Sequence, residues 1–144
     1  LLDFAGSHNY QWLDAAVIGP LLRPRNVSLV LIGDNPVISH DAPMCEHNHG
    51  LCQVEDWYDN LVGGGTLQQF DERASAFAAA RPGVFFFRQS ALWEESADAH
   101  FWGNVPGTDV RAYYDRQHQL QSVSRAYLWP HLCSAFSEWG LFDR

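Results

Sequence analysis

The chain has 144 residues, 9 basic and 17 acidic, for a formal net charge of −8 with His neutral. That length holds one domain. The acidic balance, with every basic residue an Arg and only Arg23 and Arg25 close together, excludes the basic stripe that a phosphate backbone requires, so no nucleic-acid partner is expected. Hydrophobic residues at 47% and aromatics at 14% exclude a disordered tail and supply a core. No apolar run approaches the ~20 residues of a membrane span, and no basic segment leads into a cleavage site, so neither a membrane segment nor a targeting signal is expected in this chain. Both ends, Leu1-Leu2-Asp3-Phe4 and Trp139 to Arg144, read as interrupted elements, which suggests a segment of a longer protein.

In chain order, Tyr10 to Leu22 places Trp12, Leu13, Ala16, Val17 and Leu21 at three- and four-residue steps, predicting a helix that Pro24 stops. Val27 to Ile32 is a β-branched apolar run ending at Gly33, the pattern of a strand covered on both faces. Residues 40–65 are polar and rich in Gly, His and Asn, predicting a long irregular loop. Thr66 with Gln69 three residues on forms a capping-box pair, and Phe70, Ala74, Phe77 and Ala78 carry the helix to Ala80. Pro82-Gly83 closes it, and Val84-Phe85-Phe86-Phe87 reads as a second strand. Pro106-Gly107-Thr108-Asp109 reads as the cap of a third helix through Tyr113, Leu120, Val123 and Tyr127 toward Trp129, kinked or ended by Pro130; Leu141-Phe142 is a candidate final strand.

This alternation is α/β grammar. It predicts one three-layer domain over 1–144, with a short parallel sheet joined by right-handed crossovers and flanked by helices. In such sheets ligands lie beyond the carboxyl ends of the strands, here Gly33-Asp34-Asn35 and Arg88-Gln89-Ser90. Gly33-Asp34-Asn35-Pro36 is either a plain turn, these being the commonest turn formers, or a device that aims the Asn35 amide at a developing oxyanion. Gly6-Ser7, before the first helix, is a second place where a backbone amide suits an anion.

The succession Gly6-Ser7, helix, Val27 to Ile32, Gly33-Asp34-Asn35 resembles the second and third conserved blocks of the SGNH (GDSL-like) hydrolases, a flavodoxin-like three-layer family. Pro82 to Ser90 followed by His100-Phe101 is similar to the strand and His-Phe signature of the PC-esterase branch, which modifies acyl groups on carbohydrates. The resemblance implies an esterase or O-acyltransferase in which the Gly6 amide and Asn35 side chain are oxyanion-hole donors, and Gly33, Arg88 and His100 adjoin the substrate. The substrate is then an acyl ester, carried on carbohydrate in that branch, and no cofactor is implied. The chain departs from the pattern at Pro36, where block three continues with Asp. The nucleophilic Ser is expected before Leu1 and the Asp-x-x-His pair after Arg144, so the segment alone should be inactive. The alternative is a non-catalytic carbohydrate-binding or interaction module of the same fold.

The remaining residues leave choices open. Ser7, Ser39, Ser90 and Ser96 accompany Asp34, Asp41 and seven His, yet no nucleophile-elbow motif selects among them, and solvated Ser is the default for each. Arg88 either binds a substrate oxygen or pairs with Glu94 or Glu95; His100 is a loop residue or a substrate contact. Trp93, Phe101 and Trp102 either line a sugar-binding face or cover a core edge. Residues His40 to Cys52 gather two Cys, three His and two carboxylates without standard zinc spacing. A Cys45–Cys52 disulfide is the simpler account, with a zinc-stabilised loop and a loop with neither as the alternatives; no metal site is assigned. Cys133 reads as a buried free thiol. The disulfide and the glycosylation sequon Asn26-Val27-Ser28 together point to the secretory pathway or the cell exterior.

Overall fold

The computed structural model describes residues 13–36, 66–94, 104–114 and 119–142. Gly6, His100, Phe101, Trp102, Cys45, Cys52 and the loop 40–65 lie outside them. The described residues fall into two units. The first comprises residues up to Gly33 with 66–87, and the second comprises 34–36 with Arg88 onward.

The first unit is a mixed α/β arrangement. Helix α1 (Asp14–Leu22) is wound as a π-helix and contains Pro20, whose missing N–H breaks the ordinary helical ladder. A 3-10 turn, Arg23–Arg25, follows. Pro24 therefore does not stop the chain from coiling; the stop is Asn26, in the left-handed region at φ 52°. Strand β1 is Leu29–Ile32, two residues shorter at its start than the apolar run predicts. Helix α2 (Leu67–Ala79) is capped as its sequence predicts: the Gln69 N–H donates to Thr66 Oγ1 at 3.1 Å and the Thr66 N–H to Gln69 Oε1 at 3.2 Å. Gly83, at φ 79°, turns the chain into β2 (Val84–Phe87).

The strands pair in parallel, Leu29 opposite Val84 and Ile32 opposite Phe87. Leu29, Leu31, Val84 and Phe86 share one sheet face, and a single apolar cluster joins them to Leu13 and Ile18 and to Ala74, Phe77 and Ala78 of α2. The sheet is not covered on both faces along its length. Ile32 is 50% exposed although its register partner Phe87 is 7% exposed, and among the described residues β2 is the one strand paired with β1. Arg81, just after α2, ties that helix to α1. Its Nε donates to Asp14 Oδ2 at 2.7 Å, Nη2 donates to the same oxygen, and Nη1 donates to the Phe77 carbonyl at 3.0 Å. The guanidinium carbon stands 3.7 Å from the Phe77 ring centroid.

The second unit is built around aromatic rings. One turn of helix, α3 (Ala91–Glu94), presents Trp93, which is 1% exposed, to Val105, Ala112, Tyr113 and Val123. The Trp93 ring lies 5.6 Å from that of Tyr113 and 5.7 Å from that of Tyr127, both tilted. Helix α4 begins as α-helix at Gln121–Val123, passes through a π segment at Ser124–Leu128 and continues as α-helix over Trp129–Glu138. Pro130 neither ends nor starts this helix, since it falls at the junction where the wider π turn has already displaced the regular ladder.

The third predicted helix is thus corrected at its start. Pro106 to Asp109 forms a turn: the Val105 N–H donates to the Val110 carbonyl at 2.8 Å, and the Thr108 hydroxyl donates back to the Val105 carbonyl at 2.9 Å. Gly107 sits at φ 73°. Thr108 and Gly107 serve a tight turn as well as they serve a cap, and the Val105–Val110 bond decides for the turn. Tyr113 pairs with Gln119 in an antiparallel bridge instead of lying on a helix. Leu141-Phe142 is not a strand; it follows the helix end at Gly140, φ 65°.

Candidate functional site

Chain direction alone carries two short turns past the ends of parallel neighbours, because β1 and β2 run the same way. The first holds Asp34, Asn35 and Pro36; the second holds Arg88, Gln89 and Ser90. Asp34 is exposed and its Oδ1 accepts the Asn35 N–H at 2.9 Å, a local bond that sets the turn. Asn35 is half-buried, and its Oδ1 accepts a hydrogen bond from Gln89 Nε2 at 2.5 Å. Gln89 is itself 6% exposed. This bond holds the Asn35 carboxamide with its carbonyl oxygen toward Gln89.

Ser90 is 2% exposed, so the solvated surface role does not apply to it. Its carbonyl accepts the Trp93 N–H at 2.9 Å, and the Gln89 carbonyl accepts that of Leu92 at 3.1 Å, so both residues begin α3. Arg88, one residue earlier, is exposed. Of the two readings of Trp93 the core one holds: its ring is 1% exposed and packs against Tyr113 and Tyr127. Cys133 is a free thiol and only half-buried, because its helix turns one side to solvent.

Gly33, which precedes this turn at the end of β1, sits where a side chain would be crowded. A Cβ there would lie 3.1 Å from Asp71 Oδ1 and 3.1 Å from Phe86 Cζ, tighter than ordinary carbon contacts. Its N–H donates to the Phe87 carbonyl at 2.9 Å, extending the parallel ladder by one bond. Asp71 is the residue that sequence reasoning missed. It is 3% exposed on the inner side of α2. The signal was present in its spacing, since Asp71 precedes Ala74 by three and Ala78 by seven and so belongs to the buried stripe. Gln89 was visible only as a neighbour of Arg88; nothing in the sequence pairs it with Asn35, 54 positions away.

One perturbed ion pair lies in the first unit, apart from these turns. The hydrogen bonds from Arg81 hold the Asp14 carboxyl below its ordinary 3.8 despite the opposing effect of burial, and Asp14 in turn raises the Arg81 guanidinium. Among the described residues no group of three or more His, Cys, Asp or Glu is arranged to hold a metal ion, and no helix is long and apolar enough to cross a membrane. Compared with family models, with curated proteins and with solved structures, the chain matches none.

Proposed function

We propose that the chain is part of an SGNH-like, three-layer α/β esterase or O-acyltransferase acting on acyl esters, with Asn35 as an oxyanion-hole donor. The observation that carries this reading is the Gln89–Asn35 hydrogen bond, which holds a carboxamide in one orientation in the turn directly after β1. An ester carbonyl attacked by a Ser becomes a tetrahedral oxyanion, and a donor already aimed at that oxygen lowers the barrier without reorganising. In the whole protein a Ser from the preceding sequence attacks and a His from the following sequence takes its proton; Gly6, the second donor that the resemblance implies, lies outside the described residues. Arg88 and His100 are the proposed contacts to the rest of the ester. A carbohydrate acceptor and a secretory or extracellular setting complete the reading. Of the aromatic face that would favour a non-catalytic sugar-binding module, Trp93 is buried.

The test is turnover of an acetyl ester by the intact protein and its Asn35→Ala variant. One such donor contributes ~3 kcal/mol, so kcat should fall ~100-fold or more while KM changes little. Equal kcat in the two proteins, or an intact protein without esterase or transferase activity, overturns the reading.

A further inference from the structure

We propose that Asn26 carries an N-linked glycan, a modification independent of the esterase reading. The chain contains six Asn, and Asn26, followed by Val27 and Ser28, is the only one with a hydroxyl residue two positions on and no intervening Pro. The apolar run suggested that this triplet begins a strand, where the acceptor amide would compete with ladder pairing. Instead β1 starts at Leu29, and the triplet forms the turn before it. Asn26 is exposed, at φ 52° and ψ 41°, with its N–H donating to the Arg23 carbonyl at 3.3 Å. The side chains of Asn26 and Ser28 engage no partner among the described residues, so a sugar on Nδ2 displaces no existing bond. The left-handed backbone by itself accounts for Asn or Gly at position 26. It does not call for Ser at position 28. Leu21 and Val27, 47% and 50% exposed, flank the turn, and a glycan there shields apolar surface that water otherwise meets.

In the transfer, Asn26 Nδ2 attacks C1 of a sugar borne on a polyprenyl diphosphate. The N–C1 bond forms as the C1–O bond breaks, the diphosphate leaves with the electron pair, and the amide gives up one proton to the medium. The experiment is expression of the intact protein in a eukaryotic secretory host, followed by peptide N-glycosidase treatment and mass spectrometry of the Asn26 peptide. The expected result is a glycan mass on that peptide, with conversion of Asn26 to Asp on enzymatic release. Asn26→Gly, which keeps the left-handed turn, and Ser28→Ala, which leaves the turn untouched, should each abolish the glycan, while Ser28→Thr retains it. An unmodified Asn26 peptide from the secreted protein, or a protein that never enters the secretory lumen, overturns the proposal.

Discussion

The two units of this protein are held together in different ways. In the first, burial is spread over small and aliphatic side chains, Leu13, Ile18, Leu31, Ala74, Ala78 and Val84, together with the Phe77 and Phe87 rings. In the second, one indole is the hub, packed against two Tyr rings, and the Tyr127 hydroxyl donates to the Leu92 carbonyl at 3.0 Å beside it. A distributed core loses little when one methylene goes, whereas a hub leaves a void that its neighbours cannot all fill. The Trp93 Nε1–H of the aromatic core has no hydrogen-bond partner among the described residues, while Arg81 of the aliphatic unit has its guanidinium bonded to Asp14 and to Phe77.

The sharpest way to break that comparison is to truncate each core. Trp93→Ala should lower unfolding free energy by about 3–5 kcal/mol, and Ile18→Val by about 0.5–1.5 kcal/mol, measured by denaturant titration. Similar losses for the two would end the distinction between hub and distributed packing. Trp93→Phe should fall well short of Trp93→Ala, since it retains a ring and removes a buried donor that lacks a partner.

Next in size is Gly33→Ala. The new methyl meets the Asp71 carboxylate and the Phe86 ring at 3.1 Å each, so a cost of about 1–3 kcal/mol is expected. Phe86→Leu in the same chain should recover part of it. If Gly33→Ala is neutral, the close approach of α2 to the end of β1 is not a constraint.

The smallest effect concerns the ion pair. Asp14 is 34% exposed and Arg81 23%, so solvent screening keeps the pair to ~1 kcal/mol or less. The sign follows from the direction of the shift. Folding lowers the Asp14 pKa, so the folded state binds that proton less readily than the unfolded state does. The stabilisation is complete above 3.8 and disappears as pH falls from there through the lower folded value. Unfolding measured from pH 6 downward should therefore show a loss that Asp14→Asn removes; identical pH profiles for the two chains would dissociate the pair from stability.

Local signals carried much of the first unit. The Thr66–Gln69 box, the apolar stripe behind it, Gly83 and the Phe run of β2 are interactions within a few residues, so their sequence neighbours suffice to specify them. The same reasoning misplaced the helix after Pro106, because Gly107 and Thr108 satisfy a turn and a helix cap alike, and the choice rested on the bond between Val105 and Val110. It also left Asp71 unnoticed, since a carboxylate in an apolar stripe becomes informative only when burial is seen. At the candidate site Asn35 was legible from its turn, but its orientation depends on a partner 54 residues further along.

By itself, the amino-acid order determined that this chain forms alternating helices and strands with turns after Ile32 and Phe87, because periodicity, capping and Gly or Pro punctuation act over less than two helical turns. Only the tertiary structure decided which way the Asn35 amide faces, that a side chain at Gly33 would be crowded and that Trp93 is core. Each of those depends on groups brought together across tens of residues, where the energy of one contact is set by what packs around it and not by what precedes it in the chain.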